Sequence, residues 1–143
     1  GKTFDQKKAI EFSKLKHLIL ICGHYEGVDD RARQFIDEEL SIGDFVVTGG
    51  EIPAMLVTDA VTRLIEGVLK EGVTTTESFS LPAGRQDPLL EYPHYTKPSN
   101  HKNLNVPPIL LSGNHEKIKE WREQESLKKT GKVRPDLLKR KGS

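Results

Sequence analysis

The sequence has 143 residues, of which 35% are hydrophobic, and its 22 Lys and Arg against 21 Asp and Glu leave a formal net charge of +1. That length suits one domain or a domain with a small appendage, and the balanced total does not announce a strongly basic nucleic-acid binder. Cys22 is the only cysteine, which excludes an intrachain disulfide and points to a reducing, cytoplasmic setting; no segment has the length and apolarity of a membrane span.

In chain order, apolar Phe4, Ala9, Ile10 and Phe12 predict a short helix over residues 4–15. Residues 17–22 form a compact apolar run ending at Gly23, the pattern of a strand buried on both faces and so of a parallel sheet. Helical periodicity follows over residues 29–40, and Ser41-Ile42-Gly43 breaks it. Residues 44–47 predict a second short strand, ended by Gly49-Gly50. A helix over residues 52–69 carries Ile52, Met55, Leu56, Ala60, Leu64 and Ile65, and Pro53 suits its first turn, where the missing N–H is not needed. Strand, helix, strand, helix argues for an α/β layer. Residues 70–105, rich in Thr, Ser, Pro and Asn, show little periodicity. Residues 106–111 are apolar but hold Pro107 and Pro108, so they read as an edge or extended segment. Residues 114–129 predict an amphipathic helix marked by Ile118, Trp121 and Leu127, and another begins near Asp136.

Charge is unevenly spread. Between Glu26 and Glu51, eight acids face only Arg31 and Arg33, whereas from Ser112 onward ten bases outnumber five acids. An acidic body with a basic C-terminal surface follows. Lys117, Lys119, Arg122, Lys128, Lys129, Lys132 and Arg134 are candidates for positioning RNA phosphates with little readout of base sequence.

Each predicted strand ends in a glycine-containing loop, residues 22–27 and 47–51. In an open α/β sheet, ligands bind beyond the carboxyl ends of the strands, and glycines let backbone groups approach them closely. Taken singly, either loop is explained by a plain strand-to-helix turn. Neither a GxGxxG nor a P-loop is present, so a dinucleotide or triphosphate is not indicated. The histidines show no metal-ligand spacing.

Taken together the loops are far more specific. Ile21-Cys22-Gly23-His24-Tyr25-Glu26-Gly27-Val28-Asp29-Asp30-Arg31, then Ile36-Asp37-Glu38-Glu39, then Ser41-Ile42-Gly43-Asp44-Phe45-Val46-Val47-Thr48-Gly49-Gly50-Glu51-Ile52-Pro53-Ala54, resemble the TrmD-type tRNA (guanine-N1)-methyltransferases in order and spacing. The resemblance continues in Pro93-His94-Tyr95-Thr96-Lys97-Pro98, in residues 106–115, in Trp121-Arg122 and in Arg134-Pro135-Asp136-Leu137-Leu138. It covers most of residues 17–138. Ala83-Gly84-Arg85-Gln86 is unlike the family and reads as a loop insertion.

The resemblance implies a SPOUT-type α/β fold: a trefoil-knotted parallel sheet with a small helical C-terminal domain. It implies a partial methyltransferase core over residues 1–80, an interdomain linker over 81–105 and a tRNA-contacting domain over 106–143. It also implies a homodimer with the active site at its interface, S-adenosylmethionine as methyl donor, and tRNA bearing guanosine 3′ of the anticodon as substrate. Family members use magnesium, for which no ligands can be assigned here. Residue by residue, Gly23 and the run Ile42, Gly43, Asp44, Phe45, Val46 and Val47 correspond to cofactor-holding positions, with Tyr25, Glu26, Gly49, Gly50 and Pro53 lining the same pocket. Phe45 stands where the family usually has Tyr, so a hydroxyl contact is lost there. Arg63 matches the family's catalytic arginine, and Glu77 falls where many members have aspartate as general base. Family members begin well before this chain, so it reads as a fragment lacking the N-terminal part, poorly active or inactive alone. The rival expectation is a non-catalytic RNA-binding remnant of the same fold.

Overall fold

The computed structural model describes residues 1–80 and 87–138. Two compact units divide the chain, Gly1–Glu71 and Gly72–Ser143. The expected insertion at Ala83-Gly84-Arg85-Gln86 lies outside the described residues.

In the first unit, β1 (Lys2–Thr3) pairs in parallel with β2 (Leu40–Ser41), with Lys2 opposite Leu40 and Thr3 opposite Ser41. Backbone groups extend the pairing: Lys2 N donates to Glu39 O at 3.0 Å and Phe4 N to Ser41 O at 2.7 Å. Helix α1 (Gln6–Phe12) starts at Asp5, whose carboxylate accepts from Lys8 N at 2.9 Å and satisfies one of the open N–H groups of the first turn. Helix α2 (Glu51–Thr62) begins at the second glycine loop, with Pro53 in its first turn. Ala9 and Phe12 of α1 meet Val57 and Val61 of α2, and Phe4, Leu20, Leu40, Ala60 and Leu64 pack around them. Burying Phe12, Val57 and Val61 contributes roughly 1.5–3 kcal/mol each.

Three expectations change here. Residues 17–22 and 44–47 belong to no strand, because a strand needs a neighbour and none pairs with them among the described residues, and Asp44 and Phe45 lie in a bend. The small parallel sheet instead uses Lys2–Thr3 and Leu40–Ser41. The periodic stretch 29–40 folds only as a 3₁₀ turn, Asp30–Phe35, started by Asp29. The inward face of α2 is Val57, Ala60 and Val61, continued by Leu64 just past its end, whereas Ile52, Met55 and Leu56 are exposed.

In the second unit, β3 (Asn100–His101) and β4 (Leu104–Asn105) form an antiparallel hairpin. Lys102 and Asn103 both have positive φ, the geometry a two-residue hairpin turn requires. Residues 106–111 are not an edge strand: Pro108–Leu111 is a 3₁₀ turn, with the prolines at its start. Helix α3 (His115–Val133) is capped by Asn114, whose Oδ1 accepts from Lys117 N at 3.1 Å, and Pro135 follows its end. Its buried residues are Ser126 and Thr130, with Ile118, Trp121 and Leu127 only half-buried. The last 3₁₀ turn, Pro135–Leu138, buries Leu137. Within the second unit Ser78 and Phe79 bond to Glu91 and Leu89. The described structure is thus α/β, with a small parallel sheet and helices.

Candidate functional site

The two glycine loops meet within the first unit. Gly50 N donates to Gly23 O at 2.9 Å, and His24 Nε2 lies 2.8 Å from Glu51 Oε1. The backbone approach requires glycine at position 50, whereas position 49 is crowded by side chains. A Cβ on Gly50 would lie 2.8 Å from Cys22 Cα and 3.0 Å from Gly23 N; one on Gly49 would lie 2.6 Å from Glu51 Oε2 and 2.8 Å from the His24 ring. Sequence reasoning passed over His24 and Glu51 as a pair. The only signal was their place beside glycines, which does not say that the loops touch.

Within the first loop, Gly27 N donates to His24 O at 3.0 Å, and Tyr25 takes a left-handed conformation with φ 53°. Its side chain is 99% exposed and its ring lies 5.6 Å from that of His24. Glu26 is also exposed. Asp29 accepts from Arg31 Nε and from Arg31 N, each at 2.9 Å. The Arg31 guanidinium first, then its backbone N–H, hold the Asp29 carboxyl below the usual carboxylate range.

Ahead of the second loop, Gly43 N donates to Ser41 Oγ at 3.2 Å, and Gly43 has φ 141°, a conformation that favours glycine. The Phe45 ring folds against Gly43, where a Cβ would meet Phe45 Cε1 at 2.6 Å. Ile42, Gly43, Gly49, Gly50 and Pro53 are half-buried, while Asp44, Phe45, Val46 and Val47 face solvent, Val46 being 98% exposed. The contacts thus bring together Gly23 and Gly50 across the two loops, while the side chains of Tyr25, Glu26, Asp44, Phe45, Val46 and Val47 are exposed.

The two catalytic candidates lie in different units. Arg63 stands at the C-terminal end of α2, half-buried, where the helix dipole favours a cation. Glu77 belongs to the second unit, in a turn closed by Ser80, whose N and Oγ both donate to Glu77 O at 3.2 and 2.6 Å. Among the described residues, no group of three or more His, Cys, Asp or Glu side chains is gathered as a metal site.

His94 and Tyr95 border a pocket of about 280 Å³ in the second unit, together with Tyr92, Lys97, Trp121 and Arg122. The Arg122 guanidinium lies 4.8 Å from the Tyr92 ring centre, and Tyr95 is 6.4 Å from Trp121. Lys117, Lys119, Arg122, Lys128, Lys129 and Lys132 along α3 are exposed; Arg134 is half-buried and pairs with Asp136 at 2.7 Å. No helix among the described residues is long and apolar enough to cross a membrane.

Abutting glycine loops at a helix start, on a small parallel sheet with helices, mark an α/β chain. The comparison with known proteins is specific. A family described as tRNA (Guanine-1)-methyltransferase TrmD matches residues 1–140. Proteins named tRNA (guanine-N(1)-)-methyltransferase from Metamycoplasma arthritidis, Mycoplasma mobile and Bacillus subtilis are 55%, 52% and 55% identical to it. Those alignments cover 96%, 100% and 97% of this chain, and 58%, 71% and 56% of the respective relatives. The chain belongs to the TrmD family, and it spans little more than half the length of two of these three relatives.

Proposed function

We propose that this chain forms part of an S-adenosylmethionine-dependent tRNA methyltransferase that acts on N1 of the guanosine 3′ of the anticodon. The observation that carries the reading is the junction of the two loops through Gly50 N and Gly23 O, in a chain matched to this family over residues 1–140. Gly50 lets the main chains of the two loops approach closely, which fits a cofactor held mainly by main-chain contacts. Gly23, Tyr25, Glu26, Ile42, Gly43, Asp44, Phe45, Val46, Val47, Gly49, Gly50 and Pro53 are its binding residues in this reading. When bound, the cofactor supplies a methyl group activated on a sulfonium.

Guanine N1 carries a proton and is a poor nucleophile until that proton leaves. The Glu77 carboxylate takes it as general base, leaving N1 an electron pair for the incoming methyl group, whose bond to sulfur would break to leave a neutral thioether. Negative charge that builds on O6 is met by the Arg63 guanidinium, whose planar donors suit such an oxygen; one donor of this kind contributes about 2.7–4 kcal/mol to transition-state stabilisation. Exposed bases on α3 position phosphates of the tRNA.

The reading extends to a SPOUT-type knotted fold with a C-terminal tRNA-contacting domain, a cytoplasmic location, magnesium dependence and a homodimer. Ile19, Ile21, Phe35, Val46, Ile52 and Met55 of the first unit are exposed, apolar surface that a second copy or the remainder of the protein would cover in this reading. Residues 1–143 alone are poorly active in this account. The alternative is a non-catalytic RNA-binding remnant, favoured by the exposed basic side chains of α3.

The test is methyl transfer from labelled S-adenosylmethionine to tRNA transcripts with guanosine or adenosine 3′ of the anticodon. It is run with this chain and with the chain complemented by the remainder of the Bacillus subtilis relative. Guanosine-dependent transfer by the complemented form, reduced about 100-fold or more by Arg63→Ala and by Glu77→Ala, supports the enzyme. Binding of tRNA without transfer by either form supports the remnant.

A further inference from the structure

Thr130 is a polar residue with 0% exposure, on the inward side of a helix whose outward bases were read as an RNA surface. Its hydroxyl has two partners. Thr130 Oγ1 donates to Ser126 O at 2.7 Å, one turn back along α3, and accepts from Leu90 N at 2.9 Å. A helix closes its own backbone bonds, so a buried hydroxyl facing another segment serves that segment.

The segment so held is Leu89–Glu91, and it in turn holds the turn that bears Glu77. Phe79 N donates to Leu89 O at 2.8 Å, and Glu91 N donates to Ser78 Oγ at 2.9 Å. Lys129 Nζ, next to Thr130, donates to Glu91 O at 2.8 Å. Leu89 is 4% exposed, so the middle of this ladder is dry. Phe79 itself is left-handed at φ 66°, a costly conformation for a large side chain, and the Arg134 guanidinium lies 5.9 Å from its ring centre. Left-handed backbone at a bulky residue persists only where the surroundings over-determine it, and the bonds to Leu89 and Glu91 provide that here.

We infer that Thr130 is a positioning residue for the Glu77 carboxylate, seating the Glu77–Ser78–Phe79 turn on α3 through Leu90. The inference rests on the reading of Glu77 as the general base. One rigid helix then bears RNA-contacting bases on one side and the seat of the base-bearing turn on the other. Docking of tRNA and placement of the carboxylate share a single frame. Misplacement of a reacting group by about 1 Å costs on the order of 100-fold in rate, so small losses in this ladder are legible in turnover.

The experiment uses the methyl-transferring form under single-turnover conditions, with Thr130→Val, Thr130→Ser, Glu77→Gln and the Thr130→Val/Glu77→Gln double variant. Folding is checked by thermal unfolding, and tRNA affinity is measured separately. Thr130→Val is expected to lower the transfer rate about 10-fold or more with tRNA affinity within about twofold. Thr130→Ser restores the rate, and Thr130→Val has no further effect once Glu77 is Gln. An unchanged rate in Thr130→Val, or an undiminished effect in the Glu77→Gln background, overturns the inference while leaving Glu77 as base. Full activity in Glu77→Gln overturns the general-base reading itself, and the inference with it. Should Thr130→Val fail to fold, Ser78→Ala, which removes the acceptor for Glu91 N, is held to the same criteria.

Discussion

In the first unit, the loops at Gly23 and Gly50 are joined main chain to main chain, and a side chain at Gly50 would strike backbone atoms within 3.0 Å. In the second, the turn after Glu77 hangs from side-chain oxygens of Ser78, Ser80 and, through Leu90, the buried Thr130. The first arrangement suits a surface that accepts a ligand by its backbone, where an added atom does the damage. The second suits a group that must be aimed, where a lost oxygen does it. Both belong to one proposed reaction, and they fail by opposite chemical changes.

The sharpest break in this comparison is Gly50→Ala against Gly49→Ala. At Gly50 the new Cβ meets Cys22 Cα and Gly23 N, which cannot swing aside; at Gly49 it meets the ends of Glu51 and His24, which can. Gly50→Ala is expected to cost about 1–3 kcal/mol in urea unfolding, and Gly49→Ala under about 1 kcal/mol. Equal costs would remove the distinction between backbone and side-chain neighbours.

A smaller effect sharpens the comparison from the other side. Asn114→Ala removes the cap of α3 at the end far from Thr130 and is expected to cost about 1 kcal/mol in unfolding free energy. Transfer per folded molecule stays within about twofold, because the ladder from Thr130 to the Glu77 turn is untouched. A 10-fold loss of transfer would mean that α3 acts through its whole length.

Helices were the legible part of the fold. The expected stretches 4–15, 52–69 and 114–129 contain most of Gln6–Phe12, Glu51–Thr62 and His115–Val133, because capping residues and side-chain spacing are local. The strands were not legible. The run 17–22 has the composition of a buried strand, yet pairing is decided by a partner elsewhere in the chain. Conversely, Lys2–Thr3 and Leu40–Ser41 pair through backbone groups with no apolar alternation to announce them. The glycines of the site could be read as places of close approach, since that need is written in the residue itself. The His24–Glu51 pair and the ladder to Thr130 could not, because a buried threonine inside a lysine-rich helix looks like one more polar surface residue.

The most direct measurement is calorimetric titration of S-adenosylhomocysteine into the methyl-transferring form, its Gly50→Ala variant and its Thr130→Val variant. The account predicts saturable binding that weakens about 10-fold or more in Gly50→Ala and stays within about twofold in Thr130→Val. Equal affinity in Gly50→Ala, or a comparable loss in Thr130→Val, would contradict the assignment of the joined glycine loops as the cofactor site.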